Sequence, residues 1–300
     1  MFRSLCSSKL TNAGLWFNKV CRKSSSVAEL HNRQLVEISG PESGKLLQGL
    51  FTNDINNLSG THTALYTHLL NVRGRIMFDN IVYRPNDDVY FIEVDKSLVS
   101  KFLKFVSMYN IRSKAKIAVR DEPVYASFVP GSSLLDGGYV DPRLPLLGCR
   151  HIGSPPDRAS TVSLHEYDRH RVALGVSEGA RDISSGKDFP FEHNLDFLSG
   201  VSFSKGCYIG QELTARTHHV GETRKRVVPV KLSEDVEDTQ LSLPARISLG
   251  SRAAGKLLST YGDIGLAVLR FPYLDQELSI KDSHVTLVGR KPAWWPEEMR

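Results

Sequence analysis

Cysteine is scarce in this sequence: four occur in 300 residues, at positions 6, 21, 149 and 207. No C-x-x-C pair is among them, which argues against a zinc finger or a self-contained cluster site. Long apolar runs are missing too, and nothing approaches the roughly 18 residues of a membrane span. There is no internal repeat and no low-complexity tract. Acidic residues are absent from positions 1–28, which instead carry Arg3, Lys9, Lys19, Arg22 and Lys23. The whole chain has 38 basic and 33 acidic residues and a formal net charge of +5. Those five bases account for the excess, so the remainder is neutral and lacks the surplus typical of nucleic-acid binders.

The acid-free, Arg/Lys- and Ser-bearing segment is dotted with Phe2, Leu5, Leu10, Leu15, Trp16, Phe17 and Val20. This is the pattern of a mitochondrial presequence, amphipathic when helical; a secretory signal would need a continuous apolar core. Import into the mitochondrial matrix is the expected destination. Cys6 and Cys21 would leave with the presequence, so only Cys149 and Cys207 would remain, in keeping with a reducing compartment. Iron–sulfur clusters usually take four thiolates. Were Cys207 to touch one, most of the ligands would have to come from another protein.

What is present is organised around Ser204-Lys205-Gly206-Cys207-Tyr208-Ile209-Gly210-Gln211-Glu212-Leu213-Thr214-Ala215-Arg216. It reads as a loop handing its cysteine to a short helix, because residues 211–217 are mostly good helix formers. Gly206 and Gly210 are expected to allow close bending where a Cβ would obstruct. A following helix N-terminus and the neighbouring Lys205 would both favour thiolate over thiol. Cys207 is thus a candidate nucleophile or metal ligand, or else a small buried hydrophobe.

Around this stretch, periodicity predicts an α+β chain. Strands are expected at 34–39, 64–70, 81–83, 89–94, 117–119 and 124–129, with a hairpin about Gly74. Helices are expected at 42–50, after Asp95 (Leu98, Phe102, Phe105, Val106 and Tyr109 forming an apolar stripe), and from the capping box at Ser163 to Gly175. Residues 131–156 read as a surface connection rich in Gly, Pro and Ser. From Val227 onward come short strands at 227–232, 245–249, 254–259, 264–271 and 285–288, the texture of a small β-barrel. Trp294 and Trp295, between prolines, are expected to dock back onto the body.

Lys205 to Glu212 is similar to the signature K-G-C-Y-x-G-Q-E of the YgfZ-type proteins, relatives of the glycine-cleavage aminomethyltransferase that serve iron–sulfur cluster assembly. Gln48-Gly49-Leu50-Phe51-Thr52-Asn53-Asp54, the Leu70–Arg75 segment and Pro190–Asp196 resemble further markers of the same family. The resemblance covers about residue 31 to the end. It implies an aminomethyltransferase-like three-lobed fold: a presequence at 1–28, two interleaved lobes at 29–221, and a C-terminal barrel and tail at 222–300. It also implies a late role in [4Fe-4S] maturation for aconitase-like and lipoate- or biotin-synthase-like enzymes, with A-type scaffold proteins as partners. Cys207 would then ligate a transient cluster shared with the scaffold. Lys205, Gly206, Tyr208 and Gly210 would support the loop, and Gln211, Glu212 and Arg216 would orient it and its docking surface. A folate-type cavity would involve Asn53, Asn71, Arg73, Asp79 and Asn194, with tetrahydrofolate as its ligand.

Two departures bear on transferase chemistry. Where aminomethyltransferases carry an acidic pair this chain has Phe78-Asp79, and where they read Arg-x-Glu-Ala-Gly it has Arg171-Val172-Ala173-Leu174-Gly175. Three readings stand at this point: an assembly factor sharing a cluster through Cys207; a folate-dependent one-carbon transferase with Asp79 as its acid; and an enzyme pairing a Cys207 nucleophile with His193, His218 or His219.

Overall fold

A computed structural model describes residues 25–58, 63–130, 138–157, 159–236 and 240–297, so the presequence reading of residues 1–24 lies outside the described residues. The chain enters through β1 (Ser26–Glu29), then leaves that sheet at once to build another. β2 (Arg33–Ser39), β3 (Ala64–Leu70), β4 (Ile76–Asn86), β5 (Val89–Asp95) and β6 (Lys116–Arg120) form an antiparallel sheet in the order β3-β4-β5-β2-β6. It then returns as β7 (Val124–Phe128), β8 (Tyr139–Val140), β9 (Cys149–Ile152) and β10 (Ser160–Thr161), which join β1 in the order β10-β1-β7-β9-β8. The two lobes are therefore interleaved in sequence.

Strand alternation explains how the lobes share a wall. On β2, Val36 and Ile38 face a core closed by α1 (Ser43–Leu50) and α2 (Val99–Tyr109), whereas Leu35 faces the second sheet. β4 does the same, with Phe78 and Val82 on one side and Ile81 and Tyr83 on the other. The helix after Asp95 begins with a 3-10 turn whose Ser97 N–H donates to the Asp95 carboxylate at 2.9 Å. Of its expected stripe, Phe102 and Val106 are buried, while Tyr109 reaches solvent. α3 (Leu164–Ala173) opens as expected, the Ser163 side chain accepting from Glu166 N–H.

The last lobe is a closed barrel of β11 (Lys225–Val236), β12 (Ala245–Leu249), β13 (Arg252–Arg270), β14 (Glu277–Ile280) and β15 (Thr286–Gly289), ordered β11-β13-β12-β14-β15. The tail returns to it. Trp295 is buried in the barrel core, and Trp294 Nε1 donates to the Leu174 carbonyl at 2.7 Å.

Four expectations need correction. Residues 26–28 belong to a strand paired on both sides, so the segment read as presequence overlaps β1. The supposed surface connection at 131–156 contains β9, a central strand with Arg150 fully buried; four residues between glycines are too short for periodicity to register. The strands read at 254–259 and 264–271 are one, because Gly262 at φ +70° carries β13 across an apparent turn. β14 lies where the pattern predicts no strand.

Candidate functional site

The cysteine loop lies against the C-terminal end of α1. Ser202 N–H donates to the Thr52 carbonyl at 3.0 Å and Ile209 N–H to the Gly49 carbonyl at 3.1 Å, so both ends of the loop are stitched to residues 48–53. Between them the Lys205 ammonium donates to the carbonyls of Gln48, Phe51 and Asn53 at 2.7, 2.8 and 2.9 Å. Burial pushes its pKa down to about 8, while the Asp54 carboxylate acts the other way. Cys207 stands exposed on the outer side of this span, whereas Cys149 is buried.

Some expectations about the loop change here. All three Lys205 donors are engaged by carbonyls, so its ammonium is committed to the loop's anchorage rather than to the cysteine sulfur. α5 (Gln211–His219) starts four residues beyond Cys207, after Gly210, and the thiol does not cap it. Gly206 is not sterically required, since a Cβ there would meet nothing within 4 Å. Gly210 is: it sits at φ +78°, and a Cβ would come 2.4 Å from the Asn71 carbonyl oxygen. Gly210→Ala should therefore destabilise by about 1–3 kcal/mol, and Gly206→Ala should stay within about 0.5 kcal/mol of wild type. Urea denaturation of both variants checks the contrast.

Tyr208 is buried, and its N–H donates to Gln211 Oε1 at 3.3 Å, closing the loop onto the helix. Glu212 and Arg216 form an exposed i,i+4 pair at 2.6 Å. The 71–74 hairpin tip packs on the same helix start, with Asn71 Oδ1 accepting from the N–H groups of Arg73 and Arg75 at 2.9 and 3.1 Å.

The residues expected around a folate do not form one set. Asn53 Nδ2 donates to the carbonyls of Tyr66 and Ser199 at 2.8 and 2.7 Å, and its Oδ1 accepts from Asp54 N–H. Asn71 is committed to its turn, and Arg73 is exposed beside it. Asn194, at φ +60°, donates to the Val227 carbonyl at 2.9 Å. Asp79 is buried; its Oδ2 accepts from Arg33 at 3.2 Å and from Gly179 N–H at 3.1 Å. A pterin needs a carboxylate free to accept its N–H donors, and one oxygen of this one, Oδ2, already accepts two bonds. The cleft of about 580 Å³ where the three lobes meet is lined by Asn32, Lys96, Asp168, Arg171, Glu178 and Tyr261, among others, and by none of the five. These residues do not fit tetrahydrofolate as a set.

The candidate histidines have other neighbours, His219 lying edge-on to His218 with ring centroids 5.0 Å apart. His193 lies between Ser177, with Oγ 3.0 Å from Nδ1, and Asp188, with a carboxylate oxygen 3.3 Å from Nε2. The His218 ring stacks on Phe203 at 3.5 Å. Among the described residues no hydrogen bond or ion pair joins Cys207 to a histidine. Nor does any group of three His, Cys, Asp or Glu side chains there suit a metal ion.

The sequence reading missed a buried ionic hub. Glu178 Oε2 receives Arg150 at 2.6 Å, Arg143 at 2.7 Å and the Tyr167 hydroxyl at 3.0 Å. Arg33 bonds Glu93 at 2.9 Å as well as Asp79, and Arg143 pairs with Asp141 at 2.7 Å. First sheet, second sheet and the segment before α4 (Gly179–Asp182) are tied there by charge.

Residues 224–297 match the family model of the CAF17 C-terminal β-barrel domain, and residues 18–124 that of the GCVT N-terminal domain. The chain is 36% identical over 303 residues to the mouse "Iron-sulfur cluster assembly factor IBA57, mitochondrial", covering 89% of this chain and 84% of that one. The human protein of the same name is 33% identical, with the same coverage. The chain belongs to the IBA57 family of mitochondrial iron–sulfur cluster assembly factors. Its IBA57-type fold is also that of a glycine cleavage system aminomethyltransferase T from Bartonella henselae: the TM-score is 0.69 at 14% identity, over 93% of this chain and 88% of that one. At that identity the likeness concerns the fold alone. No helix among the described residues is long and apolar enough to cross a membrane.

Proposed function

We propose that this IBA57-family chain works by contributing Cys207 as one ligand of an iron–sulfur cluster whose remaining ligands come from a partner. The cluster is cargo, passed on late in the maturation of [4Fe-4S] enzymes of the aconitase and lipoate- or biotin-synthase types. The observation that carries this reading is an exposed thiol on an anchored loop, with no other metal-binding group of side chains among the described residues. Such a site is incomplete by itself, because a cluster usually takes four thiolates. The partner must therefore bring thiolates of its own, as an A-type scaffold of the mitochondrial matrix would. Tetrahydrofolate has no step in this proposal, since none of the five residues expected around it lines the cleft between the lobes.

Anaerobic reconstitution with iron and sulfide tests it. Visible absorption and size are followed for the protein alone, with an A-type scaffold, and for Cys207→Ser with the scaffold. Cluster absorption on a mixed complex that requires both the scaffold and Cys207 is the expected result. A complex indifferent to Cys207, together with tight tetrahydrofolate binding, would favour one-carbon transfer instead.

A further inference from the structure

We infer that Lys205 is the positioning residue for the Cys207 sulfur, with the backbone of residues 48–53 as its socket. The inference rests on the reading of Cys207 as a cluster ligand and says how that ligand is held in place.

An ammonium has three donors in a tripod, and here each meets a different carbonyl, those of Gln48, Phe51 and Asn53. Gln48 lies in the last turn of α1, and Phe51 and Asn53 follow its end. The last carbonyls of a helix lack intrahelical partners and carry partial negative charge, so a cation suits them. Lys205 answers both needs from about 150 residues away. Its neighbours extend the seam, through Ser202 N–H to Thr52, Ile209 N–H to Gly49, and Thr52 Oγ1 to the Gly200 carbonyl at 2.7 Å. The thiol is carried between Lys205 and Tyr208, and a Cβ at Gly206 would meet nothing within 4 Å. On its C-terminal side the buried Tyr208 ring, the Tyr208 N–H bond to Gln211 and the Ile209 N–H bond to Gly49 hold the chain. On its N-terminal side Lys205 holds it with three bonds.

This arrangement gives two of the chain's markers one joint purpose. Gln48–Asp54 supplies the socket and Lys205-Gly206-Cys207 the plug. Asn53 then belongs to the socket: its carbonyl receives Lys205, and its side chain ties Tyr66 and Ser199 beside it. Arginine cannot replace the lysine, because a planar fork does not reach three carbonyls converging on one nitrogen.

The test uses the full chain with Cys6→Ser and Cys21→Ser, so that Cys207 is the exposed thiol. A nitroxide attached to Cys207 reports how firmly the loop is held, and iron, sulfide and glutathione serve as the cluster probe, glutathione supplying the other thiolates. Lys205→Met keeps the apolar stem and removes the donors. It should leave the far-ultraviolet spectrum unchanged, sharpen the nitroxide spectrum to that of a mobile label, and weaken cluster retention about 10–100-fold, as loss of a residue supporting a ligand does. Lys205→Arg should not restore either property. If Lys205→Met does not fold, Lys205→Gln, which keeps one amide donor, takes its place with the same expectations. A label as ordered as in wild type, with unchanged cluster retention, would overturn the inference, as would full rescue by arginine. In either case loss of the cluster in Cys207→Ser would leave the ligand reading standing. Cluster retention equal in wild type and Cys207→Ser would overturn that reading instead.

Discussion

Cys207→Ser should leave a folded protein that no longer supports cluster assembly. The side chain is exposed and has no hydrogen bond or ion pair among the described residues, so exchanging sulfur for oxygen should move stability by less than about 0.5 kcal/mol. Function should fall to background, because a serine hydroxyl stays protonated at neutral pH and is a poor ligand for iron in a cluster. Cys149→Ser gives the opposite pattern. That residue is only 2% exposed within the second sheet, and a hydroxyl there should cost about 1–2 kcal/mol while leaving assembly intact at moderate temperature. Thermal melting and aconitase activity in cells lacking the native protein separate the two. An essential Cys149 beside a dispensable Cys207 would show that the site has been misplaced.

Glu178→Ala should destabilise the fold by about 3–5 kcal/mol, because it takes from the buried Arg150 its one close carboxylate and from Arg143 one of two, Asp141 remaining. Burial alone would raise the Glu178 pKa. The charges of Arg150, Arg143, Arg33 and Arg171 outweigh it and hold the carboxyl well below the usual range. In the unfolded chain the same group titrates near about 4.3. The stability it contributes is thus fully present above that pH and is lost as pH falls through the lower folded value. The stability difference between wild type and Glu178→Gln, measured by urea denaturation, should therefore be constant from pH 7 to 5 and shrink below about pH 4. A Glu178→Ala protein melting with wild type would mean that the hub does not hold the lobes together.

Much of the fold was legible because it is locally encoded. β3 is found at the residues expected, and α1 and the Ser163 cap lie where apolar spacing and capping chemistry put them. The cysteine loop was legible as a motif. Its mechanics were not: sequence places Lys205 beside the thiol, and only the fold brings it to the end of α1. β1 and β9 are too short to show a period, and partners far along the chain make them strands. The hub was invisible for the same reason, since nothing in the spacing of Arg33, Arg143, Arg150 and Glu178 announces that they meet. Among the residues expected to hold a folate, the types were suitable, but backbone groups take up the amide N–H of Asn53 and Asn194 and the side-chain oxygen of Asn71, and Arg33 pairs with Asp79.

The interleaving of the lobes also sets the order in which the chain can be completed. A polypeptide that emerges with its N-terminus first delivers β1 long before β7, its antiparallel partner about a hundred residues later. The first sheet can close in that interval, since all its strands lie between the two. β1 must meanwhile wait with both edges unpaired, exposed to any holding chaperone or to a neighbouring chain. When β7 and β10 arrive they fasten the segment preceding the first lobe, and the loop so closed encircles that lobe's whole sequence. The first lobe is thus spliced into the second as an insertion. Cutting the chain after residue 29 would leave the first sheet its full set of strands, while β7 and β10 would lose the strand that joins them.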